Sequence, residues 1–263
     1  MICGEGVPDF YAQEVIGNHA SCLGPFDQIM SPLYEKMKVC KNMESYGYNK
    51  DENGDYLITD CQKNFFADYY TSTQSMKAFD ALYLNHHGLQ DKFVDFWDAT
   101  SAYLTHNPFV IGFDPLNEPY VGNWIRNPSM VLPGRFDKQR LAPMYERVFK
   151  RYYANDNNAI MFFEPGTFPD VLGYMGGIIV PVGFEVPPGG EFGSRNHVLN
   201  DHTYCCQLSS TACATGEPDV NLASECYDWH EKRIGTRSED AKRLGLPLII
   251  SEFGACLTEG PCT

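Results

Sequence analysis

Residues 109–119 read FVIGFDPLNEP, and this stretch decides the fold class that the sequence predicts. A short apolar run, residues 109–113, ends in a group of polar residues, as a buried strand does when it leaves a sheet. Three further runs have the same form, at residues 159–163, 197–204 and 247–251. Because helical segments separate these runs, the pattern indicates a parallel sheet covered by helices.

The helical segments are recognised by apolar residues that recur at helical spacing. This pattern predicts helices over residues 68–84, 89–103 and 136–153. A polar helix is expected over residues 222–243, and a short helix near 170–174. Residues 1–63 are rich in Gly, Pro, Tyr, Asn and Cys and contain no convincing strand pattern.

Charge and hydropathy exclude two classes of partner. The 263 residues include 20 Lys and Arg against 34 Asp and Glu, which gives a formal net charge of −14. Nucleic acid is not expected as a partner, because a phosphate backbone is bound by basic surfaces. The longest apolar runs fall far short of the roughly 20 residues that a membrane span needs, so no integral membrane span is expected. The oligomeric state stays open.

Ten cysteines, an even number, predict disulfides formed in an oxidising compartment. Zinc binding is the alternative, but the chain has no C-x-x-C pair. The first residues lack the basic and apolar segments of a signal peptide, so we expect the true N-terminus to lie upstream of Met1. The expected location is extracellular, or lysosomal within the secretory pathway.

Polar residues whose side chains could take part in binding or catalysis lie at the ends of the predicted strands. They are Glu118, Glu164, His202, Tyr204 and Glu252. The carboxyl ends of parallel strands are where an α/β fold places its ligand site, and a carboxylate buried there is costly unless it has a function or a partner. Two carboxylates that face each other across a cleft are what cleavage of a glycosidic bond requires.

Three motifs resemble those of glycoside hydrolase family 5, the clan A retaining glycosidases with a (β/α)₈ barrel. They are Asn117-Glu118-Pro119, His202-x-Tyr204 and Ser251-Glu252-Phe253-Gly254, each at the end of an apolar strand. Residues 4–9 and 65–89 are similar to segments of the endoglycoceramidase and glucosylceramidase branch of that family.

The resemblance implies a role for each residue of these motifs. Glu118 resembles the general acid/base, and Glu252 resembles the nucleophile. Asn117 would hydrogen-bond the sugar 2-hydroxyl, Tyr204 would hold or tune Glu252, and His202 would bind near the reacting sugar. As alternatives, Glu118 and Glu252 are ordinary helix-start or loop acids, and His202 and Tyr204 are polar residues of the core.

Two further residues are candidate substrate-binding groups. Glu164 is either a site residue or the partner of a buried Arg or Lys. Trp124 follows the Glu118 loop and either stacks on a sugar face or packs within its loop. No metal or other cofactor is expected, because the two-carboxylate mechanism needs none.

The family resemblance also implies that the barrel is partial. By position in the family, the four strands correspond to barrel strands four to seven. We therefore expect a partial catalytic (β/α)₈ barrel over residues 64–263, and a loop-rich, cysteine-containing segment over residues 1–63 that packs on it. The chain is expected to be a fragment, and its independent activity is open.

The function implied is a retaining β-glycosidase that hydrolyses a glycosphingolipid, as an endoglycoceramidase does, with two glutamates. The alternatives are a steryl or other β-glucosidase or an endo-β-glucanase of the same family, or a truncated, inactive carbohydrate-binding protein. The apolar loop 175–188 either faces a lipid leaving group or packs over the barrel.

Overall fold

The computed structural model describes residues 3, 22–23, 31–36, 39–64, 66–167, 179–204 and 223–254. Four strands form one sheet in the order β1-β2-β3-β4, and each neighbouring pair is parallel. They are β1 (Gly112–Phe113), β2 (Ile160–Phe163), β3 (His197–Tyr204) and β4 (Leu248–Gly254). The predicted parallel sheet of a partial α/β barrel is confirmed.

Six α-helices lie in the described ranges: α1 (Ser31–Lys36), α2 (Ile58–Cys61), α3 (Thr73–Tyr83), α4 (Leu89–Leu104), α5 (Ala142–Asn155) and α6 (Ala223–Leu244). Short 3₁₀ helices span Met43–Tyr46, Phe66–Tyr69, His86–Gly88 and Pro128–Val131, and a π-helical turn, Asp137–Leu141, leads into α5. The predicted helix near residues 170–174 lies outside the described residues. None of the described helices combines the length and the apolarity needed to cross a membrane.

The chain divides into two compact units. The first comprises Met1–Phe93 and Tyr120–Met130, and the second comprises Val94–Pro119 and Val131–Thr263. All four strands belong to the second unit. The predicted boundary between residues 63 and 64 stays a prediction.

The first unit is held together by covalent and aromatic contacts. Disulfides join Cys3 to Cys61 and Cys22 to Cys40, as the cysteine content predicts. Its described residues contain no strand, only an isolated antiparallel bridge between Lys50 and Tyr56. The side chains of the other six cysteines lie outside the description.

The core of the second unit lies between the sheet and α5. The helix buries one face at helical spacing: Met144, Tyr145, Val148, Phe149 and Tyr152. The ring of Tyr145 lies 6.5 Å from that of Phe163 in β2, and the ring of Tyr152 lies 5.4 Å from that of Phe113 in β1. Alternate strand residues therefore pack against the helix, and the residues between them face the opposite side of the sheet.

Strand β1 is shorter than the sequence predicts. Residues 109–113 were expected to form a buried strand, but Phe109 is 92% exposed and only Gly112 and Phe113 pair with β2. The pairing begins at a glycine for a steric reason: a Cβ atom at Gly112 would lie 2.1 Å from the carbonyl oxygen of Ile160. Gly112 can approach Ile160 this closely because it has no side chain.

Helix α6 is attached to the outer face of β3 by buried charges. Asp201 accepts hydrogen bonds from Arg233 and Arg237, each at 2.8 Å, and all three side chains are at most 5% exposed. Burial alone would raise the pKa of Asp201, but the two guanidinium groups outweigh it and hold the pKa below its usual value. Arg233 also donates to the backbone oxygen of His202 at 2.6 Å, so α6 fixes the end of β3.

We predict that Asp201→Ala lowers the free energy of unfolding by about 3–5 kcal/mol, because it removes the carboxylate that two buried guanidinium groups share. Urea denaturation of the full chain measures the change. Glu239→Gln is the control, since Glu239 pairs with Lys242 on the exposed face of α6 and should shift stability by roughly 0.5 kcal/mol or less. Equal midpoints for the two variants would contradict the prediction.

Candidate active site

The polar residues at the carboxyl ends of the four strands meet around one cavity of about 310 Å³. All of the residues that line it belong to the second unit: Asp114, Asn117, Phe162, Glu164, Asn200, His202, Ile249, Ser251 and Glu252. The structure therefore brings four of the predicted site residues, Asn117, Glu164, His202 and Glu252, to one place.

A β-bulge aims Glu252 into this cavity. Along the β3–β4 ladder Asp201 pairs with Ile250, but the next pair joins His202 to Glu252 and skips Ser251. A bulge adds one residue to a strand and redirects the side chains that follow it. As a result Ser251 and Glu252 both line the cavity, although neighbouring residues of a regular strand face opposite sides of the sheet.

His202 lies at the centre of the polar contacts. Its Nδ1 is 2.9 Å from Glu118 Oε1 and 3.4 Å from Glu252 Oε2, while its Nε2 is 3.1 Å from Ser251 Oγ and 3.5 Å from Glu164 Oε1. One donor atom from each of Glu118, His202 and Glu252 lies within 4.8 Å of the other two. The two glutamates thus face each other across the imidazole.

The charge state of His202 follows from these neighbours. Burial disfavours the imidazolium, but the hydrogen bond to Glu118 and the negative charges of Glu118, Glu252 and Asp201 outweigh burial and raise the pKa of His202. Two carboxylates and an imidazole could also bind a cation. In the structure the same atoms contact one another, and a proton on Nδ1 accounts for that contact.

Tyr204 orients the second glutamate. The Tyr204 hydroxyl donates to Glu252 Oε2 at 2.5 Å. The Glu252 side chain is 43% exposed, whereas the Glu118 side chain is 18% exposed. The two glutamates therefore have different surroundings. Glu252 is more exposed and is held by the phenol of Tyr204, whereas Glu118 is less exposed and is held by the imidazole of His202.

The backbone at Glu118 has an unusual conformation. Its φ angle is +42°, in the left-handed region that residues other than glycine rarely adopt, and Pro119 follows it. The Glu118 amide donates to Glu164 Oε2 at 2.9 Å. Glu164 is only 3% exposed. This bond ties the loop after β1 to the end of β2.

A second pair of acidic groups lies beneath the two glutamates. The Asn200 amide donates to Asp114 Oδ2 at 2.7 Å. Burial raises the pKa of Asp114 to about 6. Burial, reinforced by the charge of Asp114, raises the pKa of Glu164 to about 10. The larger rise at Glu164 favours a proton on Glu164 over one on Asp114.

No role was predicted from the sequence for three of the polar residues that line the cavity: Asp114, Asn200 and Ser251. Asp114 and Ser251 stand at strand ends beside predicted site residues, a signal that identifies them in retrospect. Asn200 lies two residues before His202 on the same strand, and the period of two places it on the same face. No Arg or Lys among the described side chains pairs with Glu164, so that alternative is not observed.

The two remaining predictions concern Trp124 and the apolar loop. Trp124 belongs to the first unit, where its indole donates to the Tyr120 hydroxyl at 2.9 Å, and its role in substrate binding stays a prediction. In the described part of the loop, from residue 179, Ile179, Val182 and Phe184 are buried. These three side chains pack inside the protein, as the second alternative for this loop predicts.

Comparison with known proteins identifies relatives over most of the chain. The family model for cellulase (glycosyl hydrolase family 5) matches residues 37–263. An endoglycoceramidase of Cyanea nozakii is 32% identical over 203 residues, which are 77% of this chain and 35% of that protein. An endoglycoceramidase of Hydra vulgaris is 34% identical over 145 residues, 55% of this chain and 26% of that protein.

Solved structures show the same fold. Endo-glycoceramidase II from Rhodococcus sp., in its ganglioside GM3 complex, aligns with a TM-score of 0.55 at 20% identity, over 71% of this chain and 38% of that one. A crystal structure of endogalactoceramidase aligns with a TM-score of 0.50 at 19% identity, over 73% and 36% of the two chains.

The chain spans about a third or less of the length of the two endoglycoceramidase relatives. Within that span, the family match extends from the first unit to the end of the chain and includes all four strands of the sheet. This chain belongs to glycosyl hydrolase family 5, the cellulase family of glycoside hydrolases.

Proposed function

We propose that this protein is a retaining β-glycosidase that hydrolyses the O-glycosidic bond of a glycolipid, specifically a glycosphingolipid. The observation that carries the proposal is the short separation of Glu118 and Glu252, whose carboxylate oxygens lie within 4.8 Å of each other. Retaining enzymes hold two carboxyl groups about 5 Å apart, whereas inverting enzymes leave roughly 6.5–9.5 Å for a water molecule. The separation in this site favours the covalent route.

The reaction proceeds in two displacements. In the first, Glu118 takes up the proton that it shares with His202 Nδ1 and gives it to the leaving oxygen, while a Glu252 oxygen attacks the anomeric carbon. The glycosidic bond breaks and a glycosyl ester forms. In the second, Glu118, now a carboxylate, takes a proton from water, and the resulting hydroxyl replaces Glu252 on the sugar. Both carboxyl groups return to their starting states and the anomeric configuration is retained.

The assignment of the two roles rests on their surroundings. The more open Glu252 is held by the Tyr204 hydroxyl, which fixes the attacking oxygen. Glu118 is the more enclosed of the two and contacts the imidazole of His202. Asn117 is exposed at the rim of the same cavity, within reach of a sugar hydroxyl. No cofactor enters the scheme, because the two carboxyl groups carry both proton and bond transfer.

The substrate class is proposed from the relatives. The two similar proteins are endoglycoceramidases, so we propose a glycolipid whose sugar occupies the cavity of the second unit. Trp124 is retained as a proposed sugar-stacking residue. Extracellular or lysosomal action is proposed with it, since the disulfides of the first unit fit an oxidising compartment.

The first prediction from this proposed function concerns the substrate. Incubation of the full chain with glucosylceramide, a longer glycosphingolipid and carboxymethylcellulose should release intact oligosaccharide from the longer lipid. NMR of the first-formed sugar should show the β anomer. Glucose released only from glucosylceramide would indicate an exo-acting glucosidase, and cleavage of cellulose alone would overturn the lipid assignment. Binding without cleavage of any substrate would indicate a carbohydrate-binding protein.

The second prediction separates the two glutamates. Glu252→Gln should reduce kcat by roughly 10⁴-fold or more on every substrate, because no nucleophile remains. Glu118→Gln should cost about 10²–10⁴-fold on the lipid, yet less on an aryl glycoside, whose leaving group needs no proton. Glu239→Gln, on the exposed face of α6, is the matched control. Activity that survives Glu252→Gln would refute the nucleophile role.

The third prediction tests the contact between His202 and Glu118 without turnover. Glu118→Gln removes a negative charge and a charged acceptor 2.9 Å from Nδ1, so the pKa of His202 should fall. A ¹⁵N NMR titration of the histidine rings measures it. His197 is the internal reference, because burial lowers its pKa to about 4 and its ring contacts Ser194 and the Pro188 carbonyl instead. An unchanged His202 titration would contradict the site geometry.

A further inference from the structure

The conformation of Glu118 needs an explanation that the two-displacement scheme does not give. A non-glycine residue at φ +42° is strained, and the following Pro119 restricts its backbone further. Such a conformation persists only where the surrounding structure holds it. The direction of the Glu118 side chain depends on that backbone, so whatever holds it also places the carboxyl group.

Two hydrogen bonds hold this loop, and both come from the segment after β2. The Glu118 amide donates to Glu164 Oε2 at 2.9 Å, and the Thr167 amide donates to the Pro119 carbonyl at 3.0 Å. Glu164 is itself fixed, since the Tyr145 hydroxyl of α5 donates to its backbone oxygen at 3.2 Å. Of these contacts, only the one at Glu164 uses a side chain to hold the Glu118 backbone.

The neighbours of Glu164 indicate where its proton lies. The two carboxyl groups act on each other: the charge of Asp114 raises the pKa of Glu164, and a hydrogen bond from Glu164 lowers the pKa of Asp114. Asp114 Oδ1 is buried and meets no donor in the described part of the chain. Two carboxylate groups cannot bond to each other, but one carboxylic acid can donate to one carboxylate. A proton on Glu164 therefore lets Glu164 donate to the Asp114 carboxylate.

We propose that Glu164 is a positioning residue rather than a sugar ligand: as a neutral acid it accepts the Glu118 amide hydrogen, donates its own proton to Asp114, and so holds Glu118 at the reacting bond. This inference rests on the proposed acid/base role of Glu118. The titratable groups that face Glu164 are Asp114 after β1, Glu118 in the loop, and Asp201 and His202 in β3. With Asp114 and Glu118 so close, a charge on Glu164 would add like-charge repulsion.

Glutamine is the decisive substitution, because its amide has the same shape as a protonated glutamate and keeps both an acceptor and a donor. Glu164→Gln keeps both hydrogen bonds and should therefore retain far more of kcat/KM on the glycolipid than Glu164→Ala does. Glu164→Ala frees the Glu118 backbone and should lower kcat by about 100-fold, as expected when a reacting group is misplaced. Glu239→Gln controls for the loss of one carboxylate.

The pH profile of kcat/KM distinguishes positioning from a charge effect. An ionised Glu164 would favour the protonated form of Glu118, so its replacement by glutamine would move the alkaline limb of the profile to lower pH. A neutral Glu164 predicts that the limb stays in place. A shifted limb, or a Gln variant as impaired as the Ala variant, would overturn the inference.

Stability gives a second readout that does not depend on turnover. The folded chain holds the Glu164 proton up to a pKa of about 10, whereas the unfolded chain releases it near 4.5. Stability of the unchanged chain therefore falls as pH rises through this window, by up to about tenfold per pH unit in the folding equilibrium constant. Glu164→Gln lacks this loss, so its stability relative to the unchanged chain should rise with pH.

The outcomes separate the inference from the proposed function. A stability difference that is flat between pH 5 and 9, a range chosen to lie inside the window of about 4.5 to 10, would show an ionised Glu164 and overturn the inference. An unchanged chain that hydrolyses no glycoside would overturn the proposed function, while the stability comparison still decides the charge of Glu164. If Glu164→Ala does not fold, the Gln variant decides both questions.

Discussion

Repulsion between like charges is the constraint on which this site depends. Parallel strands bring Asp114, Glu118, Glu164 and Glu252 to one edge of the sheet, and four carboxylates at such distances cannot all be ionised in a partly buried cavity. Protons resolve the conflict at two places. His202 takes one between Glu118 and Glu252, and Glu164 keeps one beside Asp114. These protons allow the two reacting carboxyl groups, Glu118 and Glu252, to differ in their protonation, as the proposed chemistry requires.

The fold was predictable where a single physical rule decides the outcome. Apolar runs bounded by polar residues identified all four strands, with β3 correct at both ends, and amphipathic spacing identified α4 and α5. The same rule predicted that Glu118 and Glu252 would approach each other, since the carboxyl ends of parallel strands share one edge of the sheet. Their separation required coordinates, because it depends on side-chain rotamers and on the register of β4.

Other features depend on contacts between distant residues, which no local pattern encodes. The skipped residue at Ser251 arises from the pairing of β3 with β4. The pairing of β1 begins at Gly112, where the backbone approaches Ile160 more closely than a side chain would allow. Glu164 was expected to be either a site residue or the partner of a buried Arg or Lys, and the structure shows that it accepts the backbone amide of Glu118. Cysteine content predicted disulfides, but their pairing required the structure.

Strand β3 has a different task on each face. His202 and Asn200 line the cavity, while Asp201 between them binds the arginines of α6 on the other side. Arg233 of α6 donates a hydrogen bond to the carbonyl of His202. Helix α6 is therefore connected, through the backbone of β3, to the residue whose imidazole lies in the cavity. A substitution in α6 that displaces Arg233 would therefore be transmitted to His202 without any change in the residues that line the cavity. Two homologues with identical clefts need not be equally active, and screens restricted to cleft residues will miss that source of variation.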